Sequence, residues 1–204
     1  MTRWKLTLEY DGTAFLGWQR QAEGPTVQQV VEEAVESFCG ERVVAHAAGR
    51  TDSGVHALGQ IVHLDIAKPA DAHTVQMALN HFLKRLPVAV LAAEAVGEDF
   101  HARFSATARH YRFRILCRRA PPALERGRVW WLPVPLDAAA MHRAAQALVG
   151  HHDFTSFRAA ECQAASPVKT LDRLDVTRLG EEIEIAAESR SFLHHQVRNM
   201  VGTL

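Results

Sequence analysis

The segment Gly49-Arg50-Thr51-Asp52-Ser53-Gly54-Val55-His56-Ala57 sets a base, a hydroxyl and an acid between two glycines. Glycine permits positive φ and lets a ligand approach the backbone closely. Arg50 places a permanent cation two residues from Asp52 and favours the ionised carboxylate. An ionised carboxylate on a tight loop has the chemistry of a nucleophile rather than of a general acid. By composition alone the same residues would also suit an ordinary surface turn. Two further side chains are of types that would serve such an acid. Tyr111, in the run Arg109-His110-Tyr111-Arg112-Phe113-Arg114-Ile115, shares a strand face with Phe113 and Ile115. There its ring can stack on a base and its hydroxyl can handle a proton. Arg198 lies at the edge of the apolar stripe Leu193, Val197, Met200 and Val201, where a half-buried guanidinium needs a carboxylate such as Asp52.

The charge distribution gives the acid a setting. The 204 residues carry 23 basic and 23 acidic side chains, so the net charge is zero. Residues 1–100 hold 8 basic and 13 acidic groups, residues 101–130 hold 8 and 1, and residues 131–204 hold 7 and 9. Neutrality therefore conceals one basic block, and all its cations are arginine: Arg103, Arg109, Arg112, Arg114, Arg118, Arg119, Arg126 and Arg128. Arginine's planar fork bonds phosphate at two points and stacks on bases. The block predicts phosphate contacts, with Arg103, Arg109, Arg112 and Arg114 as the candidates on or beside the Tyr111 strand.

The elements that must position these groups follow from hydrophobic period and breakers. Trp4–Tyr10 alternates as a strand and Asp11-Gly12 closes it. Thr26 and Gln29 form a capping box for a helix with Val27, Val30, Val31, Ala34, Val35 and Phe38 on one side, stopped by Gly40. A short strand near Val43–Ala48 enters the Asp52 loop. A second strand leaves it, with Gln60, Val62 and Leu64 on one face and Ile61, His63 and Asp65 on the other. A helix over His73–Leu86, ended by Pro87, and a strand Val88–Val96 complete β-α-β-β-α-β, the ferredoxin-like unit.

The pattern then begins again. A strand over Thr107–Cys117, a Pro-rich linker, and a helix capped by Asp137 and ended near Gly150 are followed by a hairpin of Leu171–Arg178 and Glu182–Glu188. A last helix starts near Ser191. The expected fold is α+β: two ferredoxin-like halves, 1–104 with the Asp52 loop and 105–204. Together they form a mostly antiparallel mixed sheet with helices on one face. The second half lacks its closing strand, which predicts a chain cut short. The open face suits RNA, which is read by shape and by splayed bases.

Other chemistries are disfavoured. His151-His152 and His194-His195 lack the i, i+4 spacing of a helical zinc site, and no cysteine or acid completes one. Gly49, Gly54 and Gly59 match neither a P-loop nor a dinucleotide fingerprint. No apolar run approaches a membrane helix, and Met1-Thr2-Arg3-Trp4-Lys5 has no apolar leader. Cys39, Cys117 and Cys162, three and widely spaced, fit a reducing cytoplasm better than a disulfide framework.

Gly49-Arg50-Thr51-Asp52-x-Gly54-Val55-His56-Ala57 resembles the signature around the catalytic aspartate of the tRNA pseudouridine synthase A family. The likeness extends to Tyr10-Asp11-Gly12-x-x-Phe15-x-Gly17-Trp18-Gln19-Arg20-Gln21, to Phe100-His101-Ala102-Arg103-Phe104-Ser105-Ala106 with Arg109-x-Tyr111, to Asp153-Phe154-Thr155-Ser156-Phe157, and to Phe192–Gly202. Ser53 stands where alanine is usual, and family members continue past the equivalent of Leu204. The resemblance implies uridine isomerisation in the anticodon stem-loop of tRNA, without metal or cofactor, by a cytoplasmic homodimer. It implies Asp52 as nucleophile, Arg50 holding the flipped nucleotide, Tyr111 on the uracil and Arg198 paired with Asp52. A non-catalytic RNA-binding module of the same fold is the alternative that retains most of these features, though mere binding has no need of Asp52. A nucleosidase or glycosidase would need a second acid across the bond, and the motif holds none.

Overall fold

A computed structural model describes residues 1–204. The chain forms two compact units, Met1–Ala106 and Thr107–Leu204. The first consists of β1 (Thr2–Tyr10), α1 (Val27–Cys39), β2 (His46–Ala47), β3 (Ala57–Ile66), α2 (Ala72–Leu83) and β4 (Val88–Val96). Its sheet runs β2-β3-β1-β4 with every pair antiparallel, the ferredoxin-like order. Period-2 alternation on β1 sends Trp4, Leu6, Leu8 and Tyr10 inward, where they meet Val62, Leu64 and Ile66 of β3 and the apolar stripes of α1 and α2. Thr26 Oγ1 accepts from the Gln29 N–H and starts α1 as its sequence predicts; Asp71 Oδ1 does the same for α2 from Thr74. α2 ends at Leu83, three residues short of the expected Leu86. The residues before Pro87 are pushed from helical backbone by the following ring, and the Leu86 N–H turns back to the Leu83 carbonyl.

The second unit contains β5 (Arg109–Cys117), β6 (Trp130–Leu132), α3 (Ala138–Gln146), β7 (Gly150–Asp153), β8 (Val168–Leu171), β9 (Arg173–Leu179), β10 (Glu182–Ser189) and α4 (Gln196–Thr203). Its sheet runs β6-β5-β10-β9, antiparallel except for the parallel β5–β6 pair, and β7–β8 form a separate ribbon. Asp137 caps α3, which ends at Gln146 rather than at Gly150. Gly150 instead opens β7 opposite Leu171.

The last helix also starts later than its apolar stripe suggests. His195 takes a left-handed conformation (φ 61°), and the buried Gln196 Oε1 accepts the Leu193 N–H at 2.8 Å, so 191–195 form an irregular entry. The Asn199 amide donates to the Phe157 carbonyl at 3.0 Å and ties α4 to the 3₁₀ turn Thr155–Phe157. No helix of the chain is long and apolar enough to cross a membrane.

Candidate active site

Asp52 stands on the loop between β2 and β3, half-buried, with Arg50 exposed on the same loop. Of the two bracketing glycines only Gly54 takes positive φ, 77°. The loop does not hold itself. A second loop, Asp11–Trp18, lies against it and fixes it at successive points. The Trp18 N–H donates to the Thr51 carbonyl at 2.9 Å, the Gly54 N–H and the Ser53 hydroxyl donate to the Phe15 carbonyl at 3.3 Å, and the Gly12 N–H donates to His56 Nδ1 at 3.1 Å. The Tyr10 hydroxyl meets Thr51 Oγ1 at 2.9 Å.

The second loop is anchored in turn. Phe15, Trp18 and Tyr10 are core residues, and Val27 and Gln28 at the head of α1 donate to the Gly17 and Trp18 carbonyls. A run of contacts thus leads from the α1 N-terminus to the backbone either side of Asp52. Such over-determined support is what a reacting carboxylate requires, since a displacement near 1 Å can cost about a hundredfold in rate.

The two loops touch so closely that only glycine fits at two positions. A Cβ on Gly12 would lie 2.0 Å from the Val55 carbonyl oxygen, and one on Gly17 would lie 2.6 Å from that of Thr51. Gly17 also has φ 95°. Sequence reasoning missed Tyr10, Gly12, Gly17 and His56 as supports of the site. The first three belong to the motif Tyr10-Asp11-Gly12…Gly17, but nothing within that segment says which distant loop it touches.

The remaining predicted residues lie on the second unit, apart from Arg103, which sits exposed on the turn after β4. Tyr111 shares a face of β5 with Phe113 and Ile115 as its alternation predicts, half-buried, its ring edge-on to Phe192 with centroids 5.1 Å apart. Arg198 is exposed on α4, on the side away from the buried Gln196, Met200 and Val201, rather than half-buried. The later start of the helix takes Leu193 out of the stripe at whose edge Arg198 was placed.

The basic block changes character in three dimensions. β10 brings a row of glutamates beside β5. His110 Nδ1 lies 3.3 Å from Glu188, Arg112 3.8 Å from Glu184, and Arg114 bonds both Glu182 oxygens at 2.8 and 2.9 Å and Glu125 at 2.6 Å. Arg118 pairs with Glu181 at 3.3 Å. Desolvation opposes the Arg114 charge, yet these two acids raise its pKa overall. Arg114 therefore fastens β5 to β10 and to the following segment, a structural role that its sequence does not suggest. Arg112 is drawn the same way more loosely. Arg109 donates to the Arg190 carbonyl.

The segments that build this geometry are also the ones shared with known proteins. A family model described as tRNA pseudouridine synthase matches residues 7–105 and 144–204. The chain is 63% identical over 204 residues to tRNA pseudouridine synthase A of Paramagnetospirillum magneticum, covering all of this chain and 80% of that protein. It is 62% identical to the protein of that name from Rhodospirillum rubrum, covering 73% of it, and 64% identical to that from Rhodospirillum centenum, covering 83%. The chain belongs to the tRNA pseudouridine synthase family. The family match includes both clamping loops, Asp52 and the whole of α4. It leaves out 106–143, which holds β5, β6 and most of the arginine block.

Proposed function

We propose that this chain isomerises uridine to pseudouridine in the anticodon stem-loop of tRNA, with Asp52 as nucleophile. The observation that carries the reading is the clamped loop: a carboxylate whose flanking backbone is fixed by a second loop rooted in the core and in α1. The target nucleotide leaves its stack at a cost of a few kcal/mol. Contacts to the nucleic acid by Arg50, Arg103 and Arg109 offset that cost. Asp52 attacks the nucleotide, the bond from N1 to C1′ breaks, the uracil turns, C5 bonds to C1′, and the bond to Asp52 breaks and returns its carboxylate. C5 loses a proton and N1 gains one, so the reaction balances without a redox cofactor or an activated donor. Tyr111 stacks on the uracil and assists the proton transfer, and Arg198 pairs with Asp52. The enzyme works in the cytoplasm as a homodimer, as the family likeness suggests.

Incubation with unmodified tRNA followed by mapping of pseudouridine tests the reading. New pseudouridine in the anticodon arm supports it, and tRNA left unchanged by the full chain overturns it.

The ion pairs refine what salt should do. The logarithm of affinity falls with the logarithm of salt by about 0.7 to 0.9 per phosphate neutralised. Arg103→Ala should lower that slope by about one phosphate. Arg114→Ala should leave the slope unchanged and lower the unfolding temperature, because it strands Glu182 and Glu125 beside one another. A slope that drops with Arg114→Ala would return that residue to the phosphate contacts.

A further inference from the structure

Outside the clamped loop two ionisable side chains are buried, Glu32, which is paired with Arg20, and the histidine at the middle of β3. His63, at the middle of β3, is 3% exposed and points to the sheet face opposite the core residues Val62 and Leu64. A buried imidazole needs a hydrogen-bond partner. The partner of His63 is a backbone group in the turn after β4: the Ala102 N–H donates to its Nδ1 at 3.1 Å. An Nδ1 that accepts carries no proton, so His63 is the neutral tautomer with hydrogen on Nε2.

The surroundings favour that neutral form. His63 stacks on His46 of β2 at 4.9 Å between centroids, lies 4.6 Å from His101 of the turn, and meets Phe100 edge-on. Its cross-strand neighbour on β1 is Lys5, paired with Glu94, and Arg3 of β1 and Asp65 of β3 form an ion pair close by. Burial first, then His101, His46 and Arg3, lower the pKa to about 4 against the opposing pull of Asp65.

The turn that His63 holds is compact. His101 Nδ1 accepts from the Arg103 N–H at 3.2 Å, Ser105 Oγ accepts from the His101 N–H at 3.0 Å, and Arg3 donates to the Phe100 carbonyl at 3.1 Å. Ala102 is buried, and the two residues after it are thrust outward. Arg103 is exposed, with its guanidinium 5.8 Å from the Phe104 ring, and Phe104 is 71% exposed. An exposed aromatic beside an arginine offers a stacking surface and a phosphate donor together, the pairing that binds unstacked bases.

We propose that His63 is a positioning residue for tRNA: by accepting the Ala102 N–H it holds the Phe100–Ser105 turn that presents Arg103 and Phe104 to the nucleic acid. The inference rests on tRNA as the substrate and adds a binding element outside the Asp52 loop.

The 204-residue chain and unmodified tRNA test it. His63→Phe keeps a ring and removes the acceptor, and is expected to weaken tRNA binding about tenfold, with turnover at saturating tRNA within about threefold. His63→Asn sets Oδ1 where Nδ1 stands and is expected to restore affinity to within about threefold. Arg103→Ala should cost little more in the His63→Phe background, since both act through one turn. Hydrogen exchange at Ala102 should accelerate in His63→Phe and remain slow in His63→Asn. Wild-type affinity in a folded His63→Phe chain, or an Asn variant as weak as Phe, overturns the proposal.

If His63→Phe does not fold, the unsubstituted chain decides. Protonation turns Nδ1 into a donor facing a donor, so Ala102 protection should fall, relative to the other β3 and β4 amides, as pH drops through about 4; protection that does not change overturns the assignment. Binding and exchange are read without turnover, so these results separate from any failure of the catalytic reading.

Discussion

Asp52→Asn is expected to abolish isomerisation, a loss on the order of a thousandfold or more, while tRNA affinity stays within about tenfold of wild type. The substitution keeps the size of the side chain and removes its negative charge, and with it the capacity to act as a nucleophile. The loop is also held at points that the substitution leaves in place. Its fixed points are the Thr51 carbonyl, the Gly54 N–H, the Ser53 hydroxyl and His56 Nδ1, all of which survive the change. Affinity is spared, because phosphate contacts are assigned to arginines and not to the acid. Tritium release from tRNA labelled at C5 of uridine measures the outcome directly. Release by Asp52→Asn at a rate near wild type would remove Asp52 from the nucleophile role, whatever the affinity does.

Gly17→Ala should cost about a hundredfold in turnover although Gly17 has no side chain to act on the substrate. Two effects act at once. Positive φ at a residue with a Cβ costs about 1 kcal/mol or more, and the new methyl group would stand 2.6 Å from the Thr51 carbonyl oxygen. That oxygen is the one that accepts from the Trp18 N–H, so relief of the clash moves the backbone next to Asp52. Gly12→Ala tests the same contact from the other end of the loop, where the oxygen of Val55 lies nearer still.

Gly40→Ala is the matched control. Gly40 has φ 76°, but nothing lies within 4 Å of the place its Cβ would take. It should lose about 1 kcal/mol of stability and keep its turnover. Equal effects on turnover at Gly17 and Gly40 would mean that strain alone, and not the loop contact, is being measured.

Much of the first unit was legible because its signals are local. The β1 alternation, the Thr26 cap and the strand Val88–Val96 all act through backbone geometry within a few residues, and the structure reproduces them. The errors in the second unit share one cause. α3 and α4 are shorter than their apolar spacing suggests because partners elsewhere take up the flanking residues. Leu171 of β8 pairs with Gly150, and the Gln196 side chain captures the Leu193 N–H before a helical turn can form.

The candidate site divides along the same line. By itself the sequence determined the family, through enough ordered motifs, and supplied the candidates for its chemistry: Asp52 with Arg50 on a glycine-bracketed loop, and Tyr111 on the apolar face of its strand. A run of residues records its own period, caps and turn types, and these suffice for that much. Tertiary structure decided which groups are at liberty to use that chemistry. Arg114 reads as a phosphate ligand until strand register sets it against Glu182, 68 residues further along the chain. Gly17 reads as one more loop glycine until the Asp52 loop lies against it, and His63 as one position in an alternating strand until Ala102 is placed above it. Cross-strand register and loop-to-loop contact are properties of pairs of segments, and neither segment alone carries the information that fixes them.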